Sequence, residues 1–187
     1  MNDAPYPLSA DRFLRPTEAS DAPALARALL RSRTYMARFE PVRPDSFYTP
    51  EGQADRLSGI LADRAAGRAA AWVIVDEDDR ALGSFTLSGI ALGAFRSGVI
   101  GYWVDVDQAG RGLATAAVRR IRDLARDDLR LHRIEAGTLL YNEASQRVLR
   151  KCGFEEIGVA PRFLYIDGEW RDHRLFQLIL NDDPAQL

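Results

Sequence analysis

Between Asp107 and Ala117 the chain reads DQAGRGLATAA, two glycines around an arginine followed by a run of small residues. The preceding GYWVDV has the aromatic and β-branched composition of a strand. A surface turn needs no such specification, whereas a backbone that must approach a ligand with its N–H groups outward does. A helix N-terminus entered through glycines offers unpaired donors and the positive end of the helix dipole, which suits a phosphate group. The competing reading is a tight strand-to-helix turn that uses glycine for conformation alone. A P-loop is excluded because both the spacing and the lysine are missing. A dinucleotide fingerprint needs glycine where Thr115 stands. Glu135 lies at a suitable distance for a ribose contact, but the repeated βαβ units of a doubly wound sheet are absent.

Other groups able to do chemistry follow this turn. Glu135, in HRIEAGTL, is a carboxylate on a sheet otherwise made of apolar residues, and serves either as a proton acceptor or as the ion-pair partner of Arg133. Asn142 has the position of a helix N-cap, with Ser145 one turn later on the same face. His132 stands at a strand start. His173 follows the DGEWRD turn, where Asp172 either orients it or joins it in supporting the turn. Cys152, the single cysteine, excludes an internal disulfide and a thiolate zinc site, and reads as a small buried apolar residue.

The elements that must position these groups are read from periodicity and punctuation. RFLRPT (12–17) is a short strand, and Ser20 or Asp21 caps a helix carrying Leu25, Leu29 and Leu30. Residues 32–50, rich in aromatics and proline, are expected as loop and short helical turns. TPEGQADRLSGILADRAAG is a helix with a Thr cap, Pro in its first turn and Gly67 at its end. AAWVIVD and ALGSFTLSG form a hairpin across EDDR, and SGVIGYWVD is the next strand. Leu113 to about Asp128 carries Ala117, Val118, Ile121 and Leu124 at helical spacing. HRIEAGTL is a strand, NEASQRVLRKCG a helix stopped at Gly153, and GFEEIGVAPRFLYI and HRLFQLIL are strands joined by DGEW. The order predicts a mixed α+β sheet of about seven mostly antiparallel, twisted strands with one parallel βαβ step and helices on both faces. Residues 11–181 read as one domain, with loose ends at 1–10 and 182–187.

A length of 187 residues is enough to bury a full core, and a net charge of −2 carries no electrostatic footprint for nucleic acid. The basic residues are nearly all arginine, Lys151 being the one lysine. The longest apolar run, AAAWVIV, is far short of a membrane span. The first ten residues lack the basic and apolar regions of a signal peptide, so the expected compartment is the cytoplasm.

Two motifs carry a family resemblance. VDVDQAGRGLA (104–114) resembles the acetyl-CoA-binding motif of the GCN5-related N-acetyltransferases (GNATs), V-x-x-x-x-Q/R-x-x-G-x-G/A. Val104, Gly112 and Ala114 match; Ala109 departs from the Q/R position, with Gln108 one place early. HRIEAGTLLYNEASQRVLRKCGFEEIG (132–158) resembles the RI-E-A…N-x-x-S-x-x-V-L-x-K-x-GF segment of the RimJ/RimL branch, the ribosomal-protein alanine N-acetyltransferases. The tail, APRFLYIDGEWRDHRLFQLIL, is similar to the same branch.

The resemblance implies a GNAT fold and an acetyl-CoA-dependent transfer, without metal, to a primary amine, most naturally a protein N-terminal α-amine. The small-molecule alternative is an antibiotic, polyamine or amino-acid derivative; a non-catalytic acetyl-CoA-binding module is the alternative of another class. Cofactor contacts are implied for Trp103, Val104, Val106, Ala109, Gly110, Arg111, Gly112, Leu113, Ala114, Thr115 and Asn142, with the Val104 main chain at the oxyanion. Glu135 is the implied base, and Ser145 the acid or thiolate partner. Acceptor contacts are expected from Tyr35, Phe39, Phe47 and Tyr48 on one side and Tyr165 and Trp170 on the other. The remaining partner expectations are a monomer or homodimer without nucleic acid or membrane. An α-amine with pKa near 8 carries a handicap of about 1.4 kcal/mol at pH 7, whereas a lysine amine carries over about 4 kcal/mol, which favours the α-amine.

Overall fold

A computed structural model describes residues 4–184. Eight strands form one sheet in the order β1-β2-β3-β4-β5-β6-β8-β7. They are β1 (Tyr6–Ser9), β2 (Arg12–Pro16), β3 (Ala70–Asp76), β4 (Ala81–Ala91), β5 (Ser97–Val104), β6 (Arg133–Leu139), β7 (Glu155–Ile166) and β8 (Glu169–Ile179). The four helices are α1 (Ala22–Met36), α2 (Pro50–Ala65), α3 (Leu113–Asp127) and α4 (Glu143–Lys151).

Strand alternation divides the sheet into two apolar faces. On one, Trp72, Phe85, Ile100, Ile134, Ala136 and Phe176 pack with Ala117, Val118 and Ile121 of α3 and Leu149 of α4. On the other, Val73, Val75 and Ala81 pack with Leu25 and Ala28 of α1 and Leu57 of α2. Tyr102 and Val104 join the first face and Trp103 the second. The expected two-sided layering and single parallel pairing, between β5 and β6, are both present.

The sheet has one strand beyond the expected seven. Tyr6–Ser9, expected as loose chain, pairs antiparallel with β2. Four residues give no periodic signal, and their pairing depends on a neighbour rather than on propensity. The rest of the expected loose ends falls partly outside the described residues. α1 runs on through Ser32 to Met36, five residues into the expected loop, because Ser32 and Met36 continue its buried stripe. β8 likewise begins at Glu169, so the β7–β8 turn is shorter than DGEW.

Candidate active site

The central feature is a fork in the sheet. β5 and β6 pair in parallel only through Ser97↔Arg133, Gly98↔Ile134 and Val99↔Glu135. Beyond Val99, β5 remains paired to β4 as far as Val104, while β6 remains paired to β8. The two strands therefore diverge from a shared base. Asp105 N–H donates to Leu82 O of β4 at 2.9 Å. Since successive strand N–H groups point to opposite sides, those of Tyr102 and Val104 turn toward the fork.

A cavity of about 510 Å³ fills the fork and reaches both faces of the sheet. Its wall on the α3/α4 side includes Tyr102, Val104, Gln108, Ala109, Gly110, Gly112, Leu113, Ala114, Thr115, Asn142 and Ser145. On the α1/α2 side it includes Tyr35, Phe39, Glu40, Gly101, Trp103, Gly137 and His173. An added Cβ at Gly101 would meet nothing within 4 Å, so a glycine leaves this side of the fork open.

The loop into α3 answers the question its sequence raised. Gly110 and Gly112 have φ of +76° and +82°, where an L side chain costs about 1–2 kcal/mol, while nothing lies within 4 Å of a Cβ at either. Conformation, not crowding, demands glycine. Ala109 N–H is spent on Val106 O at 3.2 Å, and Arg111 N–H on Gln108 O at a long 3.4 Å. The N–H groups of Gly110, Gly112, Leu113, Ala114 and Thr115 donate to none of the described residues, and no side chain caps the helix. Five donors thus gather at the positive end of a 15-residue helix, an arrangement suited to a diphosphate. Arg147 and Lys151, at i and i+4 on α4, add positive charge to the same wall. That spacing was visible in the sequence, but without the fold nothing said which way that face of α4 points.

Asp105 holds the loop in place. Its carboxylate is fully buried and accepts from Arg31 Nη2 and, at 3.1 Å, from Arg31 Nε. It also accepts from Ser32 Oγ at 3.4 Å and from Asp107 N–H at 3.2 Å. Ser32 Oγ in turn accepts from Val106 N–H at 3.1 Å. Two consecutive residues of α1 thereby fix the end of β5.

On α4, Asn142 Oδ1 accepts from Ser145 N–H at 3.2 Å, the capping bond expected of it. Ser145 Oγ lies 2.9 Å from Tyr102 Oη, whose ring stacks on Phe85 at 5.4 Å between centroids. Burial pushes the Tyr102 hydroxyl well above the ordinary phenol range, so it stays protonated and can donate to Ser145. The serine proton is then free for a ligand. The pairing with Tyr102 was not foreseen.

Several candidates fall elsewhere. Glu135 lies outside the cavity wall, and its Oε1 takes the guanidinium of Arg133, the ion-pair reading of this residue. The physical reason is strand geometry, since residues i and i+2 share a face. Val106 and Arg111 also lie outside the wall, the first bonded to Ser32, the second exposed to solvent. Tyr165 and Trp170 contact each other at 5.7 Å on the exposed β7–β8 hairpin and do not reach the cavity; Leu164 and Ile166 of that hairpin do. Phe47 and Tyr48 pair with each other away from it.

Asp172 accepts from Arg162 N–H at 2.8 Å and so holds the irregular stretch of β7 between Ala160 and Leu164, without orienting His173. His173 Nδ1 instead lies 3.1 Å from Arg171 O, and the ring lines the cavity. His132 bonds Asn181 O at 2.6 Å, outside the wall. Cys152 is buried with its thiol pushed up by desolvation, and its Sγ donates to Thr115 O at 3.5 Å, which makes it a packing residue. Among the described residues no group of three or more His, Cys, Asp or Glu gathers to hold a metal, and no helix is long and apolar enough to cross a membrane.

Comparison with known proteins agrees with this geometry. The probable N-acetyltransferase YjcK of Bacillus subtilis is 36% identical over 175 residues, covering 93% of this chain and 96% of the relative. The [ribosomal protein uS5]-alanine N-acetyltransferase of Escherichia coli is 33% identical over 181 residues, covering 94% and 91%. The crystal structure of ribosomal-protein-S5-alanine acetyltransferase from Vibrio fischeri superposes with a TM-score of 0.92 at 33% identity, covering 97% of this chain and all of that one. Mycobacterium smegmatis RimJ in complex with CoA-disulfide superposes with a TM-score of 0.85 at 34% identity, covering 90% and 81%. Residues 12–155 match the family model of the acetyltransferase (GNAT) domain. Sheet fork, glycine loop and sequence relationship agree: the chain belongs to the GNAT N-acetyltransferases.

Proposed function

We propose that the protein transfers the acetyl group of acetyl-CoA to the N-terminal α-amine of a polypeptide, a ribosomal protein being the favoured acceptor class, in the cytoplasm. The observation that carries this reading is the cavity crossing the sheet through the fork. The diphosphate of coenzyme A fits the free amides of Gly110 and of Gly112 to Thr115. From there its arm follows the unpaired edge of β5 and brings the thioester between the strands. The Val104 N–H meets the carbonyl oxygen as charge develops there, where a fixed donor acts most strongly. The Ser145 hydroxyl, held by Tyr102, is placed for the leaving sulfur.

The acceptor then comes from the α1/α2 face, and both substrates are bound when the C–N bond forms. Exposed Tyr35, Tyr141, Phe163 and Leu164 offer apolar surface for a polypeptide on this side of the sheet. Relatives that match over nine-tenths of both chains are named for acetylating the alanine of ribosomal protein uS5, which supports this acceptor class. The test is thiol release from acetyl-CoA with short peptides beginning in alanine or serine, beside a panel of polyamines and aminoglycosides. Turnover with the peptides is expected; turnover with the small amines alone overturns the acceptor assignment.

Ser145→Ala is expected to lower kcat about tenfold, near 1.4 kcal/mol of barrier, with the KM for acetyl-CoA little changed. Steady-state kinetics with the best peptide checks this, and an unchanged kcat would reduce the serine to packing.

A further inference from the structure

We infer that Glu40 is the catalytic base, the carboxylate that receives the acceptor's ammonium group in the cavity and takes its proton. This rests on the acetyltransferase reading above and supplies the base that reading lacks.

Glu40 is the one carboxylate among the described residues of the cavity wall. It follows the single helical turn after α1, on the face opposite the glycine loop. Its placement is fixed by its neighbour. The Phe39 ring sits 5.9 Å from Tyr35 and 6.2 Å from Tyr141, whose hydroxyl donates to Arg38 O at 2.8 Å. These contacts tie the end of α1 to the end of β6, on the far side of the fork. Glu40 makes no ion pair or hydrogen bond with the described residues. Glu135, by contrast, is occupied by Arg133.

Desolvation raises the Glu40 pKa above the ordinary carboxylate value, opposed by the charges of Arg43 and Arg56. A carboxylate made more basic by desolvation and left without a hydrogen-bond partner is suited to take a proton from a bound ammonium group. Tyr35 of α1 and His173 of β8 are the other titratable groups of the described residues that line the acceptor side. The His173 ring is turned so that Nδ1 meets a backbone carbonyl.

The ammonium gives one proton to Glu40, and the freed lone pair forms the C–N bond as the carbonyl pair moves onto oxygen. Collapse breaks the C–S bond, and sulfur leaves with that pair. The sulfur takes a proton from Ser145, which recovers the one shed by nitrogen, and Glu40 returns its own to water.

The test compares Glu40→Gln, Glu40→Asp, Glu135→Gln and His173→Asn, using a short peptide with N-terminal alanine, or the small amine turned over fastest if the peptide is inert. Wild-type turnover with none of them defeats the acetyltransferase reading itself. Given wild-type turnover, Glu40→Gln is expected to lower kcat/KM at pH 7 by about 10²–10³-fold. The acetyl-CoA-induced rise in melting temperature should be unchanged, which shows that the variant is folded. Glu40→Asp should recover part of the rate and Glu135→Gln all of it. The deficit of Glu40→Gln should shrink toward pH 9, where an α-amine of pKa about 8 is neutral unaided. In the wild type, kcat/KM should fall on the acid side as Glu40 takes up its proton, with the midpoint above the ordinary carboxylate range. A Glu40→Gln rate within threefold of wild type, or a loss of the same size at every pH, overturns the assignment. A 10²-fold loss in Glu135→Gln or His173→Asn alone also overturns it.

Discussion

Gly112→Val is expected to abolish useful acetyl-CoA binding, raising its KM at least about 100-fold and erasing the thermal shift the ligand produces. The reason is local. Gly112 is the N-cap of α3 at φ +82°, and valine is among the residues least able to adopt that conformation. The loop must relax to negative φ, which re-aims the unpartnered N–H groups of Gly112 and Leu113. Each lost charge-assisted bond to a phosphate is worth about 1.5–3 kcal/mol, so two account for the effect. Gly112→Ala should show a smaller loss of the same kind. Because the Cβ meets open space, the fold should survive in both variants, with circular dichroism unchanged. An unaltered KM in Gly112→Val would remove the loop from coenzyme recognition.

Asp105→Ala is expected to cost about 2–4 kcal/mol of stability, within the range for breaking a buried ion pair, reduced because Arg31 keeps some contact with solvent. For a domain of this size that corresponds to a fall of roughly 5–15 °C in melting temperature. The carboxylate is wholly buried and gathers Arg31, Ser32 and the Asp107 amide, so its removal strands a guanidinium and a hydroxyl together. The Val106 amide is held by the same Ser32, and the glycine loop begins three residues later. Acetyl-CoA affinity should therefore fall together with stability. Asp105→Asn keeps the acceptor oxygen and should recover part of both. Calorimetric melts with and without acetyl-CoA measure the two effects; a melting temperature within 2 °C of wild type would show that the cluster does not anchor the loop.

These two residues differ in how far the sequence announced them. The glycines stood out because positive φ leaves a compositional trace within a few residues, and the flanking strand and helix were periodic enough to locate them. The parallel step, and with it the fork, followed from one helix crossing between two strands after a meander. Asp105 was invisible because its role depends on Arg31 and Ser32, more than 70 residues away. Glu40 was hidden in a proline- and aromatic-rich stretch with neither helical nor strand period, where no rule says which side chains turn inward. Glu135 shows the opposite failing. A carboxylate on a largely apolar sheet stands out, yet Arg133 two positions earlier shares its face, and that local pairing was already legible. Arg111 is similar, since a charge beside a phosphate loop invites a role, but whether it points inward is decided by dihedral angles that composition does not record.

The passage through the sheet has a consequence for turnover. In the proposed arrangement, with the coenzyme entering from one face and the amine from the other, each product has its own exit. Free thiol can then depart while the acetylated amine is still seated, and the reverse holds equally. Neither release step need wait for the other, and spent coenzyme should compete with fresh acetyl-CoA but not with the amine.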